Sequence, residues 1–227
     1  MQENPQGSMS LHAAALSSSE YEFSNSWFEI AAKGVWEQLI PQIKPRTILE
    51  VGSYEGASAC YLIDRLGAES EIEIHCVDTW VGGIENKEGG FAAADMNLVE
   101  LRFRHNLQSA IRRARKPVNL VVHKQPSDNC LATLIAENKK NYFDLIYIDG
   151  SHQAPDVLCD AVLAFRLLKV GGYLFFDDYL WSEPLPYGYD PIRCPKPAID
   201  AFVNINIRKL QILPARLYQL YLQKISD

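Results

Sequence analysis

Residues capable of acid–base chemistry stand directly after a strongly apolar run. Residues 143–156 read FDLIYIDGSHQAPD, so Asp149 and His152 follow the run Leu-Ile-Tyr-Ile within one short turn. An apolar run bounded by turn residues is typical of a buried strand. Because a carboxylate and an imidazole at the end of such a strand cost free energy unless they are paired, we expect them to bind or react with a ligand.

A glycine turn earlier in the chain points to the kind of ligand. The stretch ILEVGSYEGASAC places Gly52 and Gly56 between an apolar run and a helical pattern. Glycines there let backbone N–H groups close around a ligand, and the helix start favours an anionic group. The spacing is Gly-x-x-x-Gly and not the Gly-x-Gly-x-x-Gly of dinucleotide folds, so the ligand need not carry a pyrophosphate.

Asp78 closes the next apolar run, 26 residues after Gly52. An acid at that place can accept both hydroxyls of a ribose. The glycine turn and Asp78 together predict a nucleoside-like ligand. The alternative is tight packing of helix on strand for Gly52 and Gly56, with Asp78 as an ordinary turn acid.

Alternating strands and helices position these residues. The predicted strands are residues 47–51, 71–78, 118–124, 143–149 and 173–178, followed by two closing strands, 209–215 and 216–225, that can form an antiparallel pair. The predicted helices are residues 26–40, 58–66, 93–114, 127–140, 155–169 and 198–206. We expect Pro41 and Pro45 to end the first helix, Ser127 or Asp128 to cap the fourth, and Gly171-Gly172 to end the fifth.

This order predicts an α/β fold with a doubly wound, Rossmann-like sheet of seven strands, mostly parallel with an antiparallel last strand. Residues 26–227 are expected to form a single domain after a flexible N-terminal segment, residues 1–25. Two stretches fit no regular element, residues 81–95 and 182–197. Both follow strand ends, where loops serve either as lids and substrate walls or as plain surface connections.

The composition of the chain limits the kinds of partner that it can bind. A net charge of -6 argues against nucleic acid, which requires a basic face. No stretch approaches the roughly 20 apolar residues that cross a bilayer, so we expect no membrane partner. The five cysteines are scattered without a CxxC pair, which is typical of reduced thiols in a cytoplasmic protein. The sequence leaves the oligomeric state open, a homo-oligomer included.

Four features together resemble class I S-adenosylmethionine-dependent methyltransferases. They are Glu50-x-Gly52-x-x-x-Gly56, Asp78-Thr79-Trp80, Asp149-Gly150-Ser151-His152, and the run from Gly171-Gly172 to Asp177-Asp178. The likeness covers about residues 26–225. It is strongest for the metal-assisted O-methyltransferases of small molecules, the group that includes the macrolide sugar methyltransferases. That group often has Glu at one position of the acidic pair, where this chain has Asp twice.

The resemblance implies a role for each matching residue. The loop Gly52–Gly56 would hold the methionine end of S-adenosylmethionine, and Glu50 would help to place its ammonium group directly or through neighbours. Asp78 would take the ribose hydroxyls, while Trp80 and Ser127 would lie near the adenine. The implied cofactor site comprises Glu50, Gly52, Ser53, Tyr54, Gly56, Ser58, Asp78, Thr79, Trp80, Ser127 and Asp149.

A divalent metal is expected where the fourth and fifth strands end. These strands are neighbours in this fold, so Asp149, Asp177 and Asp178 would converge, and their mutual repulsion would be relieved by Mg²⁺ or Ca²⁺. Because adjacent strand residues face opposite sides, Asp177 and Asp178 can share a metal only if the strand breaks there. The alternative is that these acids accept hydrogen bonds from turn amides.

The resulting hypothesis is methyl transfer to a hydroxyl of a small molecule, with Asp149 and His152 as catalytic residues. His152 would remove the proton of the acceptor hydroxyl. The alternatives are a metal-independent N- or C-methyltransferase, with structural acids, and a non-catalytic module that binds S-adenosylmethionine. A nicotinamide oxidoreductase is disfavoured by the glycine spacing.

Overall fold

The computed structural model describes residues 21–87 and 89–227. The helices are α1 (Trp27–Ala31), α2 (Lys33–Ile43), α3 (Ala57–Leu66), α4 (Met96–Arg113), α5 (Ser127–Ala136), α6 (Ala154–Leu167) and α7 (Lys196–Asn206). The strands are β1 (Thr47–Val51), β2 (Ile72–Asp78), β3 (Val118–Lys124), β4 (Phe143–Ile148), β5 (Leu168–Phe176), β6 (Leu210–Ile212) and β7 (Leu220–Lys224).

The sheet has seven strands in the order β3-β2-β1-β4-β5-β7-β6. All pairs among the first five strands are parallel, and β7 runs antiparallel to both β5 and β6. This confirms the predicted fold class, including the reversed last strand. The order changes direction between β1 and β4, which is the place where ligands bind in open α/β sheets.

Apolar side chains cover both faces of the sheet, as the continuous apolar runs of its central strands require. One core gathers residues such as Trp36, Phe103 and Tyr147, and the other gathers residues such as Leu131 and Phe165. In the central strands, Val51 pairs with Val77 on one side and with Ile148 on the other. The residues that follow these three positions therefore emerge together at one edge of the sheet.

The predicted first helix is in fact two helices that meet at Ala32. Pro41 lies inside α2 and does not end it, because the helix continues to Ile43. A proline near the end of a helix removes one hydrogen bond without breaking the turns before it. The chain leaves the helix at Lys44, which has a φ of 43°, and Pro45 follows as expected.

Two other predicted boundaries are wrong. Gly171-Gly172 does not end the fifth helix; α6 stops at Leu167 and β5 begins at Leu168, so both glycines lie inside the strand. The pairing of β4 with β5 is irregular there, and Gly171 has a φ of 86°, which indicates a bulge. Neither Ser127 nor Asp128 caps α5, because Ser127 is its first residue and Pro126 precedes it without a side-chain cap.

Residues 1–20 of the predicted flexible segment lie outside the described residues. Residues 21–25 have no regular secondary structure, but they are bound to the domain. The amide of Glu22 donates to Asn106 Oδ1 at 2.8 Å, and the amide of Ser24 donates to Glu55 Oε2 at 2.6 Å. Among the described residues, no helix combines the length and apolarity that crossing a membrane requires.

Candidate active site

A cavity of about 840 Å³ opens at the carboxyl ends of the parallel strands. Its walls come from the glycine loop after β1, the turn after β2, the start of α5 and the turn after β4. Residues 21–31 and the loops after β2 and β5 close its outer side, with Trp27, Phe91 and Trp181 among the lining side chains. Of the two irregular stretches, residues 81–95 contribute lining residues that include Glu85 and Phe91, whereas no residue of 182–197 lines the cavity.

The loop after β1 owes its shape to Gly52. This residue has a φ of 84°, and a Cβ placed on it would lie 1.9 Å from the carbonyl oxygen of Asp149. Its amide donates to the carbonyl of Val77 at 2.8 Å, and the amide of Asp149 donates to the carbonyl of Val51 at 2.7 Å. The turns after β1, β2 and β4 are therefore locked together, and only glycine fits where they touch.

Asp78 holds the glycine loop in place. Its Oδ2 accepts hydrogen bonds from the amides of Ser53 at 3.0 Å and Tyr54 at 2.9 Å, and its Oδ1 accepts from the amide of Trp80 at 2.7 Å. Burial raises the pKa of Asp78, and these amide hydrogen bonds oppose the rise. Asp78 also lines the cavity, and its contact with the ribose hydroxyls stays a prediction.

Glu50 lies beneath the loop and outside the cavity. Its side chain is 0% exposed and accepts hydrogen bonds from the hydroxyls of Ser53, at 2.6 Å, and Ser58. Burial raises its pKa to about 7, although both serine hydroxyls lower it. Ser53 and Ser58 do line the cavity, so Glu50 can act on a ligand only through these two residues.

Other members of the expected cofactor site are divided between cavity and core. Tyr54, Thr79 and Ser127 line the cavity. The indole of Trp80 packs on Phe103 with ring centroids 4.7 Å apart and donates to the carbonyl of Tyr54 at 3.0 Å. Trp80 is 5% exposed, so its ring belongs to the core and not to the cavity wall. Gly56, with a φ of 79°, starts α3 close to Leu107.

The two acids after β5 leave the strand and separate. The strand ends at Phe176, and Asp178 has a φ of 54°, so the alternation of an extended strand no longer applies to them. Asp177 Oδ1 accepts from the amide of Asp178 at 2.7 Å and from Gln219 Nε2 at 2.9 Å, and Asp177 Oδ2 accepts from the hydroxyl of Tyr147. Asp177 is thus engaged by the protein, while Asp178 is directed at His152.

Asp149, His152 and Asp178 offer one ligand atom each within 4.8 Å of one another, which is a set that could hold a metal ion. Burial raises the pKa of Asp149 well above its usual range, and the charges of Asp177 and Asp178 raise it further. Two carboxylates held this close favour a cation between them. Carboxylate oxygens are the ligands that a hard divalent cation prefers, so Asp149 and Asp178 would be the residues to hold such an ion.

His152 joins the acidic cluster to the loop after β2. Its Nε2 lies 2.8 Å from Asp178 Oδ2, and its Nδ1 lies 3.1 Å from Glu85 Oε1. Burial lowers the pKa of His152, but the hydrogen bonds to the two acids outweigh burial and raise the pKa to about 10. Trp181 packs on the imidazole with ring centroids 4.4 Å apart. The imidazole is therefore cationic at neutral pH and fixed in position.

Three contributors to this cluster were missed from the sequence. Glu85 belongs to the glycine-rich stretch 81–95, and Trp181 lies just before the second irregular stretch. Tyr147, whose hydroxyl lies 3.1 Å from Asp149 Oδ2, stands in the apolar run of β4. Its position two residues before Asp149, on the same side of the strand, was the available signal.

Comparison with known proteins identifies the family to which the chain belongs. The family model described as "Methyltransferase domain" matches residues 49–179, which is more than half of the chain and includes the glycine loop and both acidic turns. An uncharacterized protein, R132, of Acanthamoeba polyphaga mimivirus is 25% identical over 135 residues. That match covers 59% of this chain and 51% of the viral protein, so the chain matches about half the length of this relative.

Solved structures share the fold. A cofactor-bound structure of Rv0187 from MTB has a TM-score of 0.58 and 18% identity, with 92% of this chain and 85% of that chain covered. The O-methyltransferase from Bacillus cereus in complex with SAH has a TM-score of 0.56 and 15% identity, with coverage of 90% and 84%. TomG from Streptomyces achromogenes, an O-methyltransferase of tomaymycin synthesis in complex with SAM, has a TM-score of 0.56 and 14% identity, with coverage of 85% and 78%.

Proposed function

The chain belongs to the methyltransferase-domain family, and from this premise we propose that it transfers a methyl group from S-adenosylmethionine to a hydroxyl of a small molecule. The observation that carries the proposal is the contact between two parts of the cavity. The glycine loop, suited to the methyl donor, touches the turn that carries Asp149 and His152, suited to the acceptor. Donor and acceptor would therefore meet where these turns touch.

The donor would lie against the loop after β1. S-adenosylmethionine supplies an electrophilic methyl group on its sulfonium. The hydroxyls of Ser53 and Ser58, oriented by Glu50, face the cavity beside the loop amides and would position the amino-acid end of the donor. Asp78 would accept from the ribose hydroxyls, and Ser127 at the start of α5 would lie near the base. These contacts fix the methyl group in orientation, which is a large part of catalysis in transfer reactions.

The acceptor would enter between the loops after β2 and β5. Phe91 and Trp181, whose ring centroids are 5.8 Å apart, would exclude water from its outer side. His152 points at Asp178 on the floor of this region and is the group best placed to take the acceptor proton. Because its two acidic partners keep it protonated, it can act as a base only once Asp178 has found another partner.

We propose that a divalent cation, Mg²⁺ or Ca²⁺, is that partner, held by Asp149 and Asp178. When bound it would lower the pKa of the acceptor hydroxyl. Calorimetric titration with Mg²⁺ is expected to show one site in the wild-type protein and none in Asp178→Ala. The matched control Asp190→Ala removes an acid of the loop after β5 that does not line the cavity, and should leave the titration unchanged. Absence of binding by the wild type, with donor product present, would remove the metal from the proposal.

The donor assignment is tested by thermal shift. S-adenosylhomocysteine at 100 times its dissociation constant should stabilise the protein by about 2.7 kcal/mol, whereas NAD should leave the melting temperature unchanged. A shift with NAD alone would replace the methyltransferase proposal with an oxidoreductase. A shift with S-adenosylhomocysteine combined with activity in the presence of chelator would favour the metal-independent N- or C-methyltransferase.

The remaining proposals concern the class of substrate, the cellular compartment and the oligomeric state. The acidic net charge and the acidic cavity floor favour a neutral or cationic small molecule over nucleic acid as the substrate. Five free cysteines, four of them buried, favour the reducing cytoplasm. A homo-oligomer is compatible with the exposed apolar residues Ile30, Leu98 and Leu101, and the elution volume in gel filtration tests it.

A further inference from the structure

A buried carboxyl group on α6 lines the cavity, and one of its two oxygens has no partner among the described residues. Asp160 is 2% exposed, and its Oδ1 has no hydrogen-bond partner among the residues that the structure describes. Its Oδ2 lies 3.8 Å from the point that a Cβ on Gly150 would occupy, and this point is 3.3 Å from Val51. The carboxyl group therefore lies under the turn after β4, beside the end of β1, where none of the contacts proposed above uses it.

A polar atom in this situation calls for a ligand. Buried polar groups in folded proteins almost always have a partner, and an unpaired one costs free energy. Asp160 is an interior residue of α6 with apolar neighbours Ala161 and Ala164 in its helix, so an aliphatic side chain would serve packing alone better. Its acid function is explained if a hydrogen-bonding group enters the cavity at this point.

The protonation state of Asp160 indicates which kind of hydrogen-bonding ligand group it would bind. Burial raises its pKa to about 7, the Ser127 hydroxyl lowers it, and the charges of Asp156 and Asp128 raise it further. The neutral acid is therefore well populated at neutral pH. A neutral carboxyl group offers one O–H donor and one carbonyl acceptor side by side, so its natural counterpart is an acceptor next to a donor.

We propose that Asp160 binds the N1 and 6-amino edge of the adenine ring of the methyl donor, and that it thereby selects adenosyl over other nucleosides. This inference rests on the proposed function. The O–H of Asp160 would donate to N1, and its carbonyl would accept from the 6-amino group. Asp78 ends β2, and Gln125 and Ser127 follow β3, the strand that pairs with β2. All three residues line the cavity, so the base would lie between them and α6.

The test measures binding and not turnover. The ligands are S-adenosylhomocysteine and its purine analogue, in which hydrogen replaces the 6-amino group, and both are titrated calorimetrically. The wild-type protein should bind the analogue about 10- to 100-fold more weakly. The Asp160→Ala variant should bind S-adenosylhomocysteine more weakly than the wild type by a similar factor. Its affinities for the two ligands should differ by less than about threefold. This loss of discrimination is a coupling between residue and ligand group that a general structural defect does not produce.

Two variants sharpen the result. Asp160→Asn presents an amide donor and a carbonyl acceptor in the same place, so its affinity for S-adenosylhomocysteine should stay within about threefold of the wild type. Asp190→Asn alters an acid that does not line the cavity, and this variant should also bind S-adenosylhomocysteine with wild-type affinity. Each variant is checked for folding by its melting temperature. Because the analogue arm uses wild-type protein, the proposal remains testable even if Asp160→Ala fails to fold.

Two results would overturn the role of Asp160. One is full discrimination against the analogue in Asp160→Ala, and the other is equal weakening by the alanine and asparagine variants. A wild-type protein that binds both ligands equally well would also exclude the 6-amino contact while leaving the donor assignment intact. Failure of the wild type to bind S-adenosylhomocysteine at all would instead refute the proposed function itself.

Discussion

Replacement of Gly52 by alanine should destabilise the protein by roughly 3–5 kcal/mol and abolish donor binding. The added Cβ would lie 1.9 Å from the carbonyl oxygen of Asp149 and 2.6 Å from the Cα of Gly150, both of which are backbone atoms that no rotamer change can move. The φ of 84° adds strain for any residue with a side chain. Relief requires the turns after β1 and β4 to separate, and these turns are where donor and acceptor would meet.

The measurements are urea unfolding and calorimetric titration with S-adenosylhomocysteine. Gly34→Ala is the matched control, because Gly34 lies in α2 and a Cβ there meets no atom within 4 Å. That substitution should be neutral or stabilising by up to about 1 kcal/mol, since alanine is the better helix former. A Gly52→Ala protein with wild-type stability and affinity would show that the two turns do not have to touch.

Replacement of His152 by alanine should lower turnover by a factor on the order of 10²–10⁴ and leave the affinity for S-adenosylhomocysteine nearly unchanged. The imidazole is fixed by Asp178, Glu85 and Trp181 on the acceptor side, and none of these three partners belongs to the glycine loop that would hold the donor. Loss of the base removes proton transfer from the transition state but leaves donor binding in place.

The pH dependence provides a second readout for His152. With the imidazole as the base, turnover should rise with pH up to the pKa of His152 in the loaded enzyme, and this ascending limb should vanish in His152→Ala. The control is His105→Ala, which replaces a histidine of α4 outside the cavity. This variant should retain both the wild-type turnover and its rise with pH. Unchanged turnover in His152→Ala would exclude this residue as the base.

Stability gives an independent check on the same group. The pKa of His152 is raised from 6.5 to about 10 in the folded protein, so the folded state binds more protons than the unfolded state between these values. The stabilisation from its two acidic partners is therefore complete below pH 6.5 and is lost as pH rises toward 10. His152→Ala should show a weaker loss of stability over this window.

The strands β1, β2, β4 and β5 could be predicted from the sequence because each contains a short apolar run that ends at a glycine or an acid. The residues at the strand ends could be identified for the same reason, since parallel strands deliver Gly52, Asp78 and Asp149 to one edge of the sheet. The position of a residue in the sequence shows which strand it follows. The order of the strands in the sheet then determines which other residues lie next to it.

Contacts made across loops could not be predicted in this way. The bond between Glu85 and His152 depends on the path of a glycine-rich loop, and the separation of Asp177 from Asp178 depends on the left-handed backbone at Asp178. Neither leaves a periodic signal in the sequence. The core position of Trp80 was missed because a tryptophan after β2 suits a cavity wall and a core equally well.

The short segment of residues 21–25 has a consequence for anyone who prepares a shortened protein. Phe23 and Asn25 form part of the cavity wall, and the amide of Ser24 is bound to Glu55 in the glycine loop. Truncation at the first helix would leave the Glu55 carboxylate with one partner fewer and would open one side of the pocket to solvent. An expression variant that begins at residue 21 or earlier retains Phe23 and Asn25 of the wall.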